Sequence, residues 1–199
     1  MSDYVTSIII LTKENEKILK KYINNKGELD FNKIFSLSKE LDKMGMIRSD
    51  IKEIKNEWEE FVSNISLTKE NVNEYIEKFR KEVRKNPKKY PQSSKTIEDK
   101  PFESTFGLVV PDFQYQMYRI ASKAKYGFYD WYEWQIENWG TNRNACNTAL
   151  LESKIEFETA WNFPIPIFEE IEKQNPKIKF QVELYDEHGD LVEIIGYGE

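Results

Sequence analysis

The fold is decided by the alternating stretch Lys154-Ile155-Glu156-Phe157-Glu158-Thr159-Ala160-Trp161. From Ile155 onward, every second side chain is suited to a core, whereas the side chains between them are mostly charged. This period of two is typical of a strand with one face buried, because successive side chains of a strand point to opposite faces of the sheet. We therefore predict a half-buried strand that has Trp161 on the same face as Ile155 and Phe157.

The same period recurs towards the end of the chain. Apolar residues alternate over 178–184, and a turn at 187–190 leads into a last strand at 191–195. A short helix opened by Pro164 precedes this hairpin. Near the start of the chain, β-branched and apolar residues predict a strand at 4–11, and an extended stretch or short edge strand is predicted at 30–35.

The middle of the chain has the 3.6-residue period of amphipathic helices. Two such helices form a predicted hairpin, and residues 47–100 are predicted to be a helical insertion within a single domain, 1–199. Residues 88–101 are expected to be an exposed connection. Helix is predicted again between Pro111 and Gly127, and from Phe128 to Trp139. The order of elements predicts an α+β protein with an antiparallel sheet and helices on one face.

The composition excludes several classes of function. The 29 Lys and Arg against 35 Asp and Glu give a net charge of −6, which disfavours non-specific binding to nucleic acid. The chain has one cysteine, Cys146, so it cannot form an internal disulfide. Because it also has only one histidine, His188, the usual zinc sites and catalytic triads are essentially excluded. One cysteine and the lack of an apolar run long enough to span a bilayer predict a protein of the reducing cytoplasm. Because the sequence has no catalytic set, we expect no enzymatic activity, and we expect no cofactor or metal.

Three motifs resemble those of a known family. They are Asp30-Phe31-Asn32-Lys33-Ile34; Trp131-Tyr132-Glu133-Trp134 with Glu137-Asn138-Trp139-Gly140-Thr141 and Asn144-Ala145; and Phe157-Glu158-Thr159-Ala160-Trp161 with Pro164. In order and chemistry they are similar to the motifs of the YubB-like ferredoxin-fold family of phage, plasmid and pathogenicity-island proteins. The resemblance covers the first forty residues and about the last seventy-five. The family pattern has Lys and then Trp where this chain has Asn142 and Arg143.

The resemblance implies a ferredoxin-like sandwich of sheet and helices, and an origin in mobile genetic elements, but no established activity. Proteins in that genomic company often act against host defences. We therefore expect an accessory protein that binds and inhibits a host defence complex by non-enzymatic blockade, with a CRISPR effector as the preferred target. The alternative is a nucleic-acid or nucleotide-binding module, because a ferredoxin-like sheet can stack bases on aromatic side chains. Contact with a second copy of the chain also stays open.

The candidate binding residues fall in three groups. The first follows a predicted helix and could receive a base or a peptide, unless its amides only cap that helix. The second lies in the most basic stretch, 78–89, which could contact phosphates or be a solvated helix end. The third is aromatic and could form a protein-binding surface or pack in the core. The first group is Asn138, Trp139, Gly140, Thr141, Arg143 and Asn144. The second group is Arg80 and Arg84, and the third is Trp131 and Trp134.

An acidic helix face is the last candidate. Asp130, Glu133 and Glu137 have the spacing of residues on one helix face, which could hold Mg²⁺ or act as an acid/base pair. Helices commonly expose charge opposite an aromatic core, so a solvated acidic face is the preferred interpretation.

Overall fold

The computed structural model describes residues 3–42, 52–97, 101–103 and 109–198. The chain divides into two compact units. We name Met1–Lys39 with Tyr132–Glu199 the sheet unit, and Glu40–Trp131 the helical unit. Both ends of the predicted insertion, residues 47 and 100, lie outside the described residues. The helical unit extends beyond the predicted insertion on both sides, and it takes in the helix predicted after Pro111.

The described residues contain seven strands and eight α-helices. The strands are β1 Tyr4–Ile10, β2 Pro101–Glu103, β3 Val109–Pro111, β4 Cys146–Leu150, β5 Lys154–Ala160, β6 Phe180–Tyr185 and β7 Leu191–Tyr197. The helices are α1 Glu16–Leu19, α2 Lys39–Asp42, α3 Lys52–Val62, α4 Val72–Lys85, α5 Pro91–Thr96, α6 Asp112–Tyr126, α7 Trp131–Trp139 and α8 Ile165–Gln174.

The first unit is built on a five-stranded sheet in the order β4-β5-β1-β6-β7. Every neighbouring pair is antiparallel. Strand β1 is central, and its neighbours β5 and β6 are joined by α8. The prediction of an α+β protein with an antiparallel sheet is confirmed, whereas the narrower ferredoxin-like topology stays a prediction.

One face of this sheet carries the core of the unit. Phe157 of β5 packs edge-on against Phe168 of α8, with ring centroids 6.3 Å apart, and against Phe31 at 6.1 Å. Phe168 also contacts Tyr197 of β7. Side chains on the opposite face are mostly polar and half-buried, as the alternation predicts; they include Glu156, Glu158 and Glu183.

The second unit has a core of its own. Trp58 of α3 and Phe113 of α6 both pack on Phe79 of α4. Apolar positions of α3, α4 and α6, together with Tyr90 and Ile97 at the two ends of α5, join them in one buried cluster. The strongly amphipathic pattern of α4 is explained by this arrangement, because its buried residues recur at helical spacing: Val72, Ile76, Phe79 and Val83.

Two local predictions are wrong. Residues 30–35 are not extended: they contain a 3₁₀ turn, Phe31–Lys33, in which the Asp30 carboxylate accepts a hydrogen bond from the Asn32 N–H. Residues 88–101 are not an unstructured connection either. They contain α5, which is flanked by the buried side chains of Tyr90 and Ile97.

Within the described residues, no helix combines the length and the apolar character needed to cross a membrane.

Candidate functional site

The chain leaves β5 through a tight turn at residues 160–164, here named the Trp161 turn. The prediction that Trp161 shares the face of Ile155 and Phe157 is wrong, because the strand ends at Ala160 and the backbone of Trp161 is left-handed, with φ of 74°. The indole is 66% exposed. A left-handed backbone is a strained conformation for a bulky residue and persists only where its surroundings enforce it.

Four hydrogen bonds enforce this turn. The Trp161 N–H donates to the Asp3 carbonyl at 2.9 Å, and the Asn162 N–H donates to the Ala160 carbonyl at 2.9 Å. The Thr159 hydroxyl donates to the Asn162 carbonyl at 2.8 Å. The fourth donor is the fully buried Thr141 hydroxyl, 2.9 Å from the Ala160 carbonyl oxygen. Thr141, one of the predicted binding residues, therefore stabilises the Trp161 turn through a buried hydrogen bond.

Gly140 allows the two segments to approach each other. Its φ is 77°, and a Cβ added there would lie 2.8 Å from Cδ of Pro166 and 2.9 Å from the Phe163 carbonyl oxygen. Those distances are too short for a methyl group, so any larger residue would push the segment 138–144 away from the Trp161 turn.

Trp139 and Asn138, two other predicted binding residues of the segment 138–144, make contacts within the sheet unit. Trp139 is buried, and its indole N–H donates to the Phe35 carbonyl at 2.9 Å. The Asn138 side-chain amide donates to the Trp134 carbonyl at 2.8 Å. Trp134 is itself buried and meets Trp139 edge-on at 5.7 Å. These contacts are those of a capped helix end and an aromatic core.

Asn144 ties the segment to the 3₁₀ turn. Its side-chain oxygen accepts the Phe31 N–H at 2.8 Å, and its amide donates to the Asp30 carboxylate at 2.8 Å. Arg143, one residue earlier, is exposed. Within the segment 138–144, Arg143 is thus the predicted binding residue whose side chain is most open to solvent.

Three of the predicted basic and aromatic residues, Arg80, Arg84 and Trp131, lie in the helical unit, whereas Trp134 lies in the sheet unit. The Arg80 guanidinium lies over the Phe113 ring, 5.6 Å from its centroid, and its Nε is 3.9 Å from Glu77. Arg84 is exposed on the same helix, and Trp131 is half-buried at the start of α7. The structure therefore does not bring the three predicted groups together within one unit.

The acidic face is not assembled as predicted. Asp130 precedes α7 instead of lying on it, and its carboxylate forms an ion pair with Arg119 at 2.9 Å. Both side chains are largely buried. Among the described residues, no group of three or more His, Cys, Asp or Glu side chains could hold a metal ion.

Comparisons of the chain with protein-family models, with curated proteins and with solved structures give no match.

The exposure of Trp161 is the feature that sequence reasoning missed. Its signal was present, since Asn162 and Pro164 follow within three residues and both favour turns. These two turn-favouring residues indicate that the strand ends before Trp161. Its left-handed backbone depends on hydrogen bonds to Asp3 and Thr141, which lie far away in sequence and leave no local trace.

Proposed function

We propose that this chain is a YubB-like accessory protein of a mobile genetic element that binds a host defence complex, with a CRISPR effector as the preferred target, and inhibits it without catalysis. The host cytoplasm is the proposed place of action. The observation that carries the binding role is the exposed indole of Trp161 on a hydrogen-bonded, strained turn. Tryptophan is enriched among the residues that dominate binding energy, and a fixed backbone lowers the entropy lost on docking.

The position of Trp161 also supports the proposal. The segments that build its turn are the same motifs that carry the family resemblance, 137–145 and 157–164. Most of their polar groups are engaged inside the fold, where they fix the turn. The motifs are thus better explained as a scaffold that presents Trp161 than as a set of catalytic groups.

We further propose a ferredoxin-like ancestry for four of the five strands. The order β4-β5-β1-β6, and the helix α8 that joins β5 to β6 across β1, support this assignment. The added edge strand β7 makes the five-strand order different from the usual four-strand arrangement.

Nucleic-acid binding is the second candidate, and the same tryptophan favours it, because an exposed indole can stack on a base. The other aromatics that this role requires, Phe157 and Phe180, are buried. The open face of the sheet instead presents the carboxylates of Glu156, Glu158 and Glu183, which repel phosphates. A protein partner therefore fits the surface better.

The test is target-DNA cleavage by a panel of purified CRISPR effectors of several types, each incubated first with the full chain. We expect the chain to inhibit at least one effector and to co-elute with it. Trp161→Ala should weaken inhibition about 30-fold, from the ~2 kcal/mol that a dominant aromatic contributes to binding. Leu151→Ala, which removes another exposed apolar side chain of the same unit, should inhibit like the parent.

Two outcomes would contradict the proposal. If the chain neither binds nor inhibits any effector of the panel, the preferred target class is wrong. If Trp161→Ala inhibits as well as the parent, the Trp161 turn is not the binding surface. Quenching of Trp161 fluorescence by a single-stranded oligonucleotide, absent in Trp161→Phe, would favour the nucleic-acid alternative.

A further inference from the structure

Strand β7 is the least covered element of the sheet unit. Its first four residues, 191–194, are all exposed, although a strand with one buried face should bury every second side chain. Leu191, Val192 and Ile194 are 51%, 57% and 51% exposed. The strand lies at the edge of the sheet, and no described strand pairs with its outer side. Its outward N–H and C=O groups are therefore available to another chain.

The opposite edge of the sheet is protected. Strand β4 is interrupted by a register shift between Cys146 and Ala149, and Asn147 has a left-handed backbone. The hydroxyl of Thr148 accepts a hydrogen bond from the Leu29 N–H, which brings the segment before the 3₁₀ turn over this edge. Irregular backbone and a covering segment are common means of preventing edge-to-edge association. Strand β7 has a register shift near its start but no lysine and no proline.

The side of β7 that faces α8 is acidic. Glu193, Ile195 and Tyr197 lie on this side, because they pair with the core-facing residues of β6. Burial raises the pKa of the Tyr197 hydroxyl, and the nearby carboxylates of Glu169, Glu172 and Glu193 raise it further. Glu193 lies on β7 itself, Glu172 hydrogen-bonds to the backbone just after the strand, and Glu169 is one turn earlier on α8, so we name these three carboxylates the acidic rim of β7. Glu169 and Glu193 are exposed, whereas Glu172 accepts a hydrogen bond from the Gly198 N–H.

The two sides of β7 thus differ in chemistry. The side facing α8 presents the acidic rim, and the open side presents the aliphatic side chains of Leu191 and Ile194, which pair with Tyr185 and Glu183. A strand that pairs with β7 would place its side chains alternately beside one and the other.

We infer that β7 accepts an extended segment of a partner protein as a sixth strand of the sheet, and that this segment alternates Lys or Arg with aliphatic residues. The basic side chains meet the acidic rim and the aliphatic ones cover Leu191 and Ile194. Backbone hydrogen bonds provide affinity and the alternation provides specificity. This surface is separate from the Trp161 turn, and the inference does not depend on the function proposed for that turn.

A second copy of the chain is a poorer occupant because of charge. Pairing two β7 strands would bring a second set of the same carboxylates, Glu169, Glu172 and Glu193, to the same rim. Like charges in neighbouring strands are destabilising, whereas a basic segment neutralises the rim.

The probe is a dye-labelled peptide of the length of β7, 7 residues, that alternates lysine with valine, titrated against the full chain by fluorescence anisotropy. We expect saturable binding that weakens as salt shortens the Debye length from about 8 Å at 0.15 M to about 3 Å at 1 M. The double variant Glu169→Lys with Glu193→Lys should bind about tenfold more weakly or worse, as should Ile194→Lys. These positions are exposed, so the thermal melt of each variant should match the parent.

Three controls separate the outcomes. A peptide with glutamate in place of lysine should not bind, and Leu150→Lys, at the opposite edge, should bind the lysine peptide like the parent. Trp161→Ala should also retain peptide binding, so a failure of the proposed function leaves this test intact. No binding at about 1 mM peptide, or equal binding by the charge-reversed variant, overturns the inference. A dimer that Ile194→Lys converts to monomer also overturns it, because the strand would then pair with its own copy.

Discussion

The left-handed backbone at Trp161 favours glycine, although the exposed indole favours binding. A left-handed backbone lowers the stability of the folded state by roughly 1–2 kcal/mol for a residue with a Cβ. Glycine avoids this steric cost, but it lowers stability by about 0.4–1 kcal/mol because it raises the conformational entropy of the unfolded chain. We therefore expect Trp161→Gly to be more stable than Trp161→Ala by up to about 1.5 kcal/mol, the reverse of the usual order of these two residues. Both variants lose the indole, so their difference isolates the backbone.

Urea unfolding followed by circular dichroism measures this difference. Trp161→Gly should have the higher midpoint, and both variants should show the same weakened inhibition, by about 30-fold, in the cleavage assay. An alanine variant as stable as the glycine variant would show that the turn is not strained at this position.

Cys146 should be a slow nucleophile. Partial burial raises the pKa of its thiol, and the carboxylates of Glu158 and Glu28 raise it further. A raised pKa lowers the thiolate fraction at a given pH, and the thiolate is the reactive form. At pH 8 we expect iodoacetamide to modify Cys146 more slowly in the folded chain than in urea. Glu158→Gln should raise the folded-state rate, and Glu152→Gln should leave it unchanged.

Mass spectrometry of quenched samples gives these rates. If Cys146 reacts as fast in the folded chain as in urea, its environment does not suppress the thiolate. An equal effect of both glutamine variants would point to a general change of charge instead of the specific proximity of Glu158.

At the scale of the element, Glu57 of α3 anchors the start of α5. Its two carboxylate oxygens accept the N–H groups of Gln92 and Ser93, each at 2.9 Å. These N–H groups have no partner within the first turn of a helix, so the carboxylate replaces the side-chain cap that α5 lacks. We expect Glu57→Ala to lower the free energy of unfolding by about 1–2 kcal/mol, as loss of a helix cap does.

Glu59→Ala, in the same helix, is the matched control. Glu59 forms an exposed ion pair with Lys55 at 3.6 Å, and such pairs contribute about 0–1 kcal/mol. Chemical unfolding of the two variants under one condition compares them. Equal effects would indicate that Glu57 acts by charge alone and not through its hydrogen bonds to α5.

The sequence predicts a helix or strand well where one face of that element is buried against a core along its whole length. Strands β5 and β6 follow from alternation, and α4 follows from its apolar stripe, because their side chains meet a core along their whole length. The 3₁₀ turn at Phe31–Lys33 was not predicted. Its conformation depends on Asn144, which accepts a hydrogen bond from the Phe31 N–H and is 113 residues away in the sequence. Helix α5 was missed for the same reason, since its cap is Glu57.

The candidate site was predicted in part. The segment 138–144 was recognised as distinctive, but its polar residues proved to be engaged within the fold, and the exposed aromatic lies at Trp161. The pattern shows that Asn and Thr can donate and accept hydrogen bonds. It does not show whether their partners are internal, because that depends on which distant backbone groups come close.

At the scale of the whole molecule, the helical unit should fold by itself. Its buried cluster draws on α3, α4, α6 and the residues that flank α5, and the rings of Trp58, Tyr90 and Phe113 surround Phe79. We expect residues 40–131, expressed alone, to be helical and to unfold cooperatively, because domains of about 50–200 residues with their own core commonly do so.

Circular dichroism and a thermal melt of the 40–131 fragment test this expectation. Phe79→Ala in the fragment is the control and should abolish or strongly lower the transition, since truncation of a buried Phe costs about 3–5 kcal/mol. A fragment that is largely unstructured, with no cooperative transition, would contradict it.

The central position of β1 has a consequence for synthesis of the chain. Ile10 pairs with Lys154 on one side and with Gln181 on the other, so β1 leaves the ribosome long before either of its neighbouring strands has been made. At about 5–20 residues per second this interval lasts roughly 10–30 s. During it, the apolar stretch Tyr4–Ile10 has the features of an aggregation-prone segment. The nascent chain is therefore a natural substrate for ribosome-associated chaperones, and its yield should depend on the speed of translation.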